Sequence, residues 1–229
     1  MTEYFEFYGL PGAGKTTLAI PLIKKLKEDG CHVAGRYDVY KRLFCHRVKI
    51  FVYIEILLHI NNYCIYYKFW KLYRKSMKPN RRFFKKLIVL VHQILMTVKK
   101  NRYDVVICDE GIIQFCSSLF YLDDFQGKNI LKEIMEELDK RIKIQPVFCS
   151  IDMEESLNRI KNRPYAQQAR YSFSKGISVL EKAMKHKAHN LEEISSVFPD
   201  PITIDMTVSI DDNVGVLLSM IRDRINRIK

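Results

Sequence analysis

Apolar positions along this chain follow two alternating rhythms. Short runs rich in aromatic and β-branched residues recur at Tyr4–Tyr8, His32–Tyr37, Tyr103–Cys108, Gln145–Ile151 and Pro201–Ile204. Their composition and length predict strands. Between them apolar residues return every three or four positions, which predicts helices from a glycine-rich turn to about Glu28, then over Asn129–Arg141, Met153–Asn162 and Asp211–Ile228. Asp29-Gly30 closes the first of these as a helix stop. Strands alternating with helices require a parallel sheet covered on both faces.

The long segment 39–100 has the helical rhythm alone. Phe44, Val48, Phe51, Val52, Ile54 and Leu58, then Phe83, Leu87, Val91, Ile94, Leu95 and Val98, predict two helices joined at Pro79. Within it Tyr63, Tyr66, Tyr67, Phe69, Trp70 and Tyr73 could form a stacking surface or a core stripe, and the spacing favours core. No repeat, low-complexity tract or linker interrupts the 229 residues, so a single domain spanning 1–229 is expected, containing a helical insert at 39–102.

Composition narrows the setting. The six cysteines form neither C-x-x-C pairs nor a zinc-spaced cluster, so they read as buried thiols in a reducing compartment, without disulfide or structural metal. The beginning of the chain lacks the basic-then-apolar pattern of a signal peptide. The most apolar later stretch, 50–67, is interrupted by Glu55 and is too short between charges to span a bilayer. A cytoplasmic location is the expectation.

Charge changes the picture more. The net charge is +12, but residues 36–102 hold seventeen Lys/Arg against only Asp38 and Glu55, a net of +15, which leaves the remainder at −3. Such a block points to an anionic partner, whether a substrate, nucleic acid or an acidic membrane surface. The alternative is a solvated helical hairpin whose lysines serve solubility.

Chemistry enters at residues 9–16. Gly9, Leu10, Pro11, Gly12, Ala13, Gly14, Lys15 and Thr16 spell G-x-x-x-x-G-K-T between a strand and a helix, the context a phosphate-binding P-loop requires. Glycines let successive N–H groups turn inward at a helix N-terminus and bind a nucleoside triphosphate. Lys15 then reaches the β- and γ-phosphates, the Thr16 hydroxyl helps hold Mg²⁺, and Thr17 packs or caps in the same turn. Farther on, the strand ending at Cys108 runs into Asp109-Glu110. A carboxylate at that strand end belongs beside Thr16, where Asp109 would hold a water or Mg²⁺.

With these motifs in order, the chain resembles the P-loop nucleoside and nucleotide kinases, most closely thymidylate kinase-like members. The resemblance rests on Gly9–Thr16, Val105–Glu110, Val147–Asp152 followed by Leu157–Pro164, and Ile202–Asp205 before a final helix. It implies an α/β three-layer P-loop kinase fold with a five-stranded parallel sheet in the order 2-3-1-4-5, and ligands beyond the strands' carboxyl ends. It also implies an ATP-dependent, Mg²⁺-dependent transfer of the γ-phosphoryl group. Arg159 and Arg163, four apart on one helix face, match the R-x-x-x-R of a lid over 159–175, with Arg170 as a third cation. Asp38 stands where related kinases carry an acidic base, and Glu110 rivals it. Arg36, Arg42, Tyr37 and Tyr40 beside Asp38 suit an anionic acceptor.

One departure stands out. Such kinases usually place Arg after the strand-three acid, whereas this chain has Glu110 and Gly111. Three readings of function remain. The first is a kinase of a nucleoside, nucleotide or other small anionic molecule. The second is a kinase of a larger anionic acceptor, such as a polynucleotide end or a phosphorylated glycan, tracked by the basic insert. The third is a nucleotide-controlled binding protein.

Overall fold

The structure, a computed structural model, describes residues 2–40, 54–76, 81–100, 102–120, 125–163 and 177–228. Five parallel strands form one sheet: β1 (Glu3–Gly9), β2 (Val33–Ala34), β3 (Val105–Cys108), β4 (Ile144–Ser150) and β5 (Ile202–Asp205), in the order β2-β3-β1-β4-β5. Glu3 stands beside Val105 and Tyr4 beside Ile144, so β1 is the central strand and the glycine-rich loop leaves from the middle of the sheet. This is the α/β topology expected.

Strand alternation sorts β1 onto two cores. Phe5 and Phe7 join Val105, Ile107, Val147 and Ile204 under α1 (Lys15–Glu28) and the closing helix α9 (Ile210–Ile228). Tyr4 and Tyr8 face the opposite core, built from Val106 and Cys108 with α3 (Tyr63–Lys75), α4 (Arg81–Lys99), α5 (Ile112–Leu119), α6 (Lys128–Asp139) and α8 (Ile177–Ser195). Each fully buried Phe or Leu in these layers contributes about 1.5–3 kcal/mol by leaving water. Between them α7 (Met153–Lys161) follows β4 and packs toward the loop after β1.

Local structure departs from the sequence reading in several places, among them the helices α5 and α8, which that reading did not predict. Only Val33 and Ala34 pair as β2, and the chain from Arg36 to Tyr40 turns into a short helix, α2. The Asp38 carboxylate accepts the Gly35 N–H at 2.9 Å, a capping-box bond that favours helix over strand at that point. The aromatic run divides by helix face: Tyr66, Phe69 and Tyr73 are buried, while Tyr63, Tyr67 and Trp70 are exposed. In the insert, a helical stretch at 54–58 and a 3-10 turn at Ile60–Asn62 precede α3. The expected join at Pro79 lies outside the described residues.

Candidate active site

The loop after β1 closes on itself through a hydrogen bond from Ala13 N–H to the Leu10 carbonyl, and α1 starts immediately behind Gly14. Gly12 holds φ of +90°, and a Cβ there would stand 2.7 Å from the Ser156 carbonyl of α7. Any side chain would therefore be strained and would push α7 off the loop. The Ser156 hydroxyl donates to the Pro11 carbonyl and fastens the two together. Lys15 folds across this cradle, donating to the carbonyls of Gly9 at 3.0 Å and Leu10 at 2.8 Å. Burial lowers its pKa, against the opposing pull of Glu110 and Asp109.

The Asp109 side chain, at the carboxyl end of β3, is buried and accepts a very close hydrogen bond from the Thr16 hydroxyl. Thr16 and Asp109 thus present hard oxygen donors side by side at the start of α1. That set suits Mg²⁺, which is commonly held by one or two carboxylates plus phosphate oxygens and water rather than by a full protein cage. Among the described residues there is no cluster of three or more His, Cys, Asp or Glu that could hold a metal by itself. Thr17 is exposed on the first turn of α1.

Arg36 crosses from α2 to these acids. Its guanidinium lies 2.6 Å from Glu110 Oε2 and 3.6 Å from Asp109 Oδ2. The sheet order explains the meeting, because β2 and β3 are neighbours and both deliver their next residues to the same edge. Asp38 is exposed, with its Oδ2 occupied by the Gly35 cap. Tyr37 is exposed as well, and Tyr40 ends α2.

On the other side, α7 carries Arg159 toward the cradle. Its Nε donates to Glu155 at 2.8 Å, and its second amino group donates to the Met206 carbonyl at 3.1 Å. The remaining amino nitrogen lies 3.9 Å from the point where a Cβ on Gly14 would sit. Arg163, just past α7, is near enough to depress the Lys15 pKa by repulsion, after burial has done most of that work. The structure therefore brings Lys15, Thr16, Asp109, Glu110, Arg36, Arg159 and Arg163 to one end of the sheet. Arg42 and Arg170 lie outside the described residues.

Three side chains that sequence reasoning passed over sit beneath this group. Gln114 on α5 accepts the Gly9 N–H on its Oε1 at 3.1 Å. Its own N–H donates to Glu6 of β1 at 3.0 Å, and its carbonyl accepts the hydroxyls of Ser117 and Ser118. Glu6 is wholly buried at the N-terminus of α5. Burial pushes its pKa up to about 8, although N–H groups of Gln114, Ile113 and Ile112 and the Tyr4 hydroxyl pull the other way.

The third is Lys187 of α8, buried, donating to Ser117 Oγ at 2.5 Å and Ser118 Oγ at 2.9 Å. Burial, then repulsion from Lys15, bring its pKa down to about 7. The signal for Glu6 was in the sequence as an acid on the same strand face as Tyr4 and Tyr8, within the otherwise apolar run Tyr4–Tyr8. Lys187 carried no such signal among the neighbouring charges of α8.

Gly111 acquires a structural reason in the same place. A Cβ on it would stand 2.5 Å from both the Glu6 carboxyl carbon and the Tyr4 hydroxyl. The buried acid occupies the space that a larger residue after Glu110 would need.

Comparison with known proteins gives fold neighbours at low sequence identity. No protein-family model matches the chain, and no curated protein is similar to it in sequence. Among solved structures, the chain is similar to deoxyadenosine kinase from M. mycoides with the products dCMP and a flexible dCDP bound. The TM-score is 0.53 at 14% identity, over 96% of this chain and 99% of that one. Deoxyadenosine kinase from M. mycoides with bound dATP matches at TM-score 0.53 and 15% identity, over the same shares. The fold is thus that of the P-loop nucleoside kinases, which confirms the α/β expectation at the level of architecture.

Proposed function

We propose that this protein is an ATP-dependent phosphotransferase that moves the γ-phosphoryl group to a nucleoside, nucleotide or other small anionic acceptor. The observation that carries the proposal is the meeting of Lys15, Thr16 and Asp109 where β1 and β3 end, at the N-terminus of α1. The nucleotides bound to the deoxyadenosine kinases of like fold support a nucleoside-type acceptor over a larger one.

Mg²⁺ bound with ATP supplies charge neutralisation across the transferred group. The protein's own part is positioning and electrostatics. Loop N–H groups and Lys15 hold the β- and γ-phosphates, and Lys15 exchanges its Gly9 and Leu10 carbonyl bonds for them. Thr16 and Asp109 hold the cation. Arg159 and Arg163 stabilise the equatorial oxygens as their charge grows; the rest of the expected lid, 164–175, lies outside the described residues.

On the acceptor side Glu110 orients the attacking hydroxyl and receives its proton. It follows Asp109 at the end of β3 and pairs with Arg36, whereas Asp38 serves the turn into α2. Arg36, bridging Glu110 and Asp109, supplies the cation that related kinases carry directly after the strand-three acid. The 39–102 insert is assigned to acceptor binding, together with Tyr40, Arg42 and Arg170.

The test is transfer of label from ATP carrying a radioactive γ-phosphate, with Mg²⁺, to pools of nucleosides and nucleotides. Labelled small acceptor is expected, and Lys15→Ala should lower turnover by roughly 10²-fold or more. Label on oligonucleotide ends instead would assign a larger acceptor. Label released only as inorganic phosphate would assign a nucleotide-controlled binding protein.

A further inference from the structure

The amphipathic rule leaves α3 with more apolar surface than the fold uses. Ile65, Tyr66, Phe69, Leu72 and Tyr73 are buried against the core, as one helix face should be. On its outer side Tyr67 is 55% and Trp70 44% exposed, and the residues leading into the helix are barer still: Leu57 66%, Leu58 73% and Ile60 70%. The Tyr63 hydroxyl donates to the Leu57 carbonyl at 2.6 Å, tying this entry to the first turn of α3. Positions 63, 67, 70 and 74 share one face of α3, and Ile60 lies on the 3-10 turn that leads into it.

Basic groups edge that face. Lys71 Nζ lies 5.0 Å from the centre of the Tyr67 ring, and the Arg74 guanidinium lies 5.7 Å from Trp70. Lys75 is exposed beside them, and residues 60–75 contain no Asp or Glu. Lys68 points elsewhere, pairing with Glu133 at 3.7 Å.

We propose that the exposed face from Leu57 to Arg74 docks on an anionic lipid surface, with Leu57, Leu58 and Ile60 entering the acyl boundary, Tyr67 and Trp70 at headgroup level, and Lys71, Arg74 and Lys75 on lipid phosphates. Tyr and Trp favour that interfacial depth, and each Lys or Arg near an anionic leaflet adds about 1 kcal/mol. Single-stranded nucleic acid fits less well. Bases stack on open rings, but Tyr67 and Trp70 stack on each other at 5.8 Å and 20°, their cations already lie near the rings, and Leu57, Leu58 and Ile60 offer no π-face. A second copy of the chain would bring two like-charged faces together. Among the described residues no helix is long and apolar enough to cross a membrane, so the contact is interfacial. The proposal is independent of the phosphotransfer reading.

Trp70 is the only tryptophan, so its emission reports on this face alone. The free protein should show the red emission of a water-exposed indole. Phosphatidylcholine vesicles containing phosphatidylserine should shift it to the blue and carry the protein in flotation, with binding weakened by added salt. Lys71→Glu with Arg74→Glu should weaken binding roughly tenfold or more. Leu57→Asp with Leu58→Asp should abolish it while circular dichroism stays unchanged.

Several results would overturn the proposal. They are the absence of any shift or flotation with anionic vesicles, an unaltered response in the Leu57/Leu58 variant, and an indole already buried in the free protein. Salt-sensitive binding of an oligonucleotide in preference to vesicles would do so too. So would a blue shift that grows with protein concentration alone.

Discussion

At the scale of single residues, the site is governed by which partner each charge already has. Asp109 shares a hydrogen bond with Thr16 and feels Arg36, a pairing suited to holding a cation in place. Glu110 and Asp38 differ in surroundings more than in chemistry. The first meets Arg36 and acts on Lys15, while the second closes a turn. Glu110→Gln should therefore lower kcat by roughly 10²-fold or more, because loss of a positioned acid-base group costs that much. Asp38→Asn, which keeps an oxygen for the Gly35 N–H, should change it by less than about tenfold. Steady-state rates of both variants decide the assignment, and a larger loss in Asp38→Asn would reverse it. The sequence named both acids as candidates for the base and left the choice open, because both simply follow strands.

At the scale of elements, the helices around the loop act as fixtures for it. α7 begins at Asp152, whose Oδ1 accepts the Glu154 N–H at 2.7 Å, and Glu154 and Glu155 complement the N-terminal end of the helix dipole. This cap fixes the first turn, which carries Ser156 onto the Pro11 carbonyl, and one turn later Arg159 onto the Met206 carbonyl. Asp152→Ala should cost about 1 kcal/mol in urea unfolding and raise the KM for ATP more than it lowers kcat. α7 was readable from its period. α5 was not recognised as an element, and the reason is physical. Its eight residues are nearly all buried and so lack the polar half of a helical pattern, with Gln114 and Ser117 taking buried positions. α5 nevertheless joins β1 to the loop, since Glu6 receives its N-terminal N–H and Gln114 returns a bond to Gly9.

At the scale of the whole molecule, two buried ionisable groups set opposing pH dependences. Glu6 is protonated in the folded state up to about pH 8 but ionises near 4.5 when unfolded. The folded state thus holds the extra proton between those values, and stability falls as pH rises through that window. Lys187 is neutral in the folded state above about pH 7 and protonated to 10.5 when unfolded, so its share of stability grows as pH rises from about 7 to 10.5. Each slope is bounded by about 1.4 kcal/mol per pH unit. Urea unfolding over a pH series should show the fall between 4.5 and 8 relieved in Glu6→Gln and the rise above 7 removed in Lys187→Met. Identical profiles in wild type and both variants would contradict these assignments. The sequence by itself determined the succession of the five strands, the helices α1, α6, α7 and α9, the phosphate loop and the acid at the end of β3, because period, glycine spacing and strand-end position are local properties of the chain. Only the tertiary structure decided that Arg36 meets Glu110, that Glu6 fills the space beside Gly111, that Lys187 is buried, and that α3 keeps an apolar face outward. Those outcomes depend on which strands and helices become neighbours and on what water is left outside, and no local spacing encodes either.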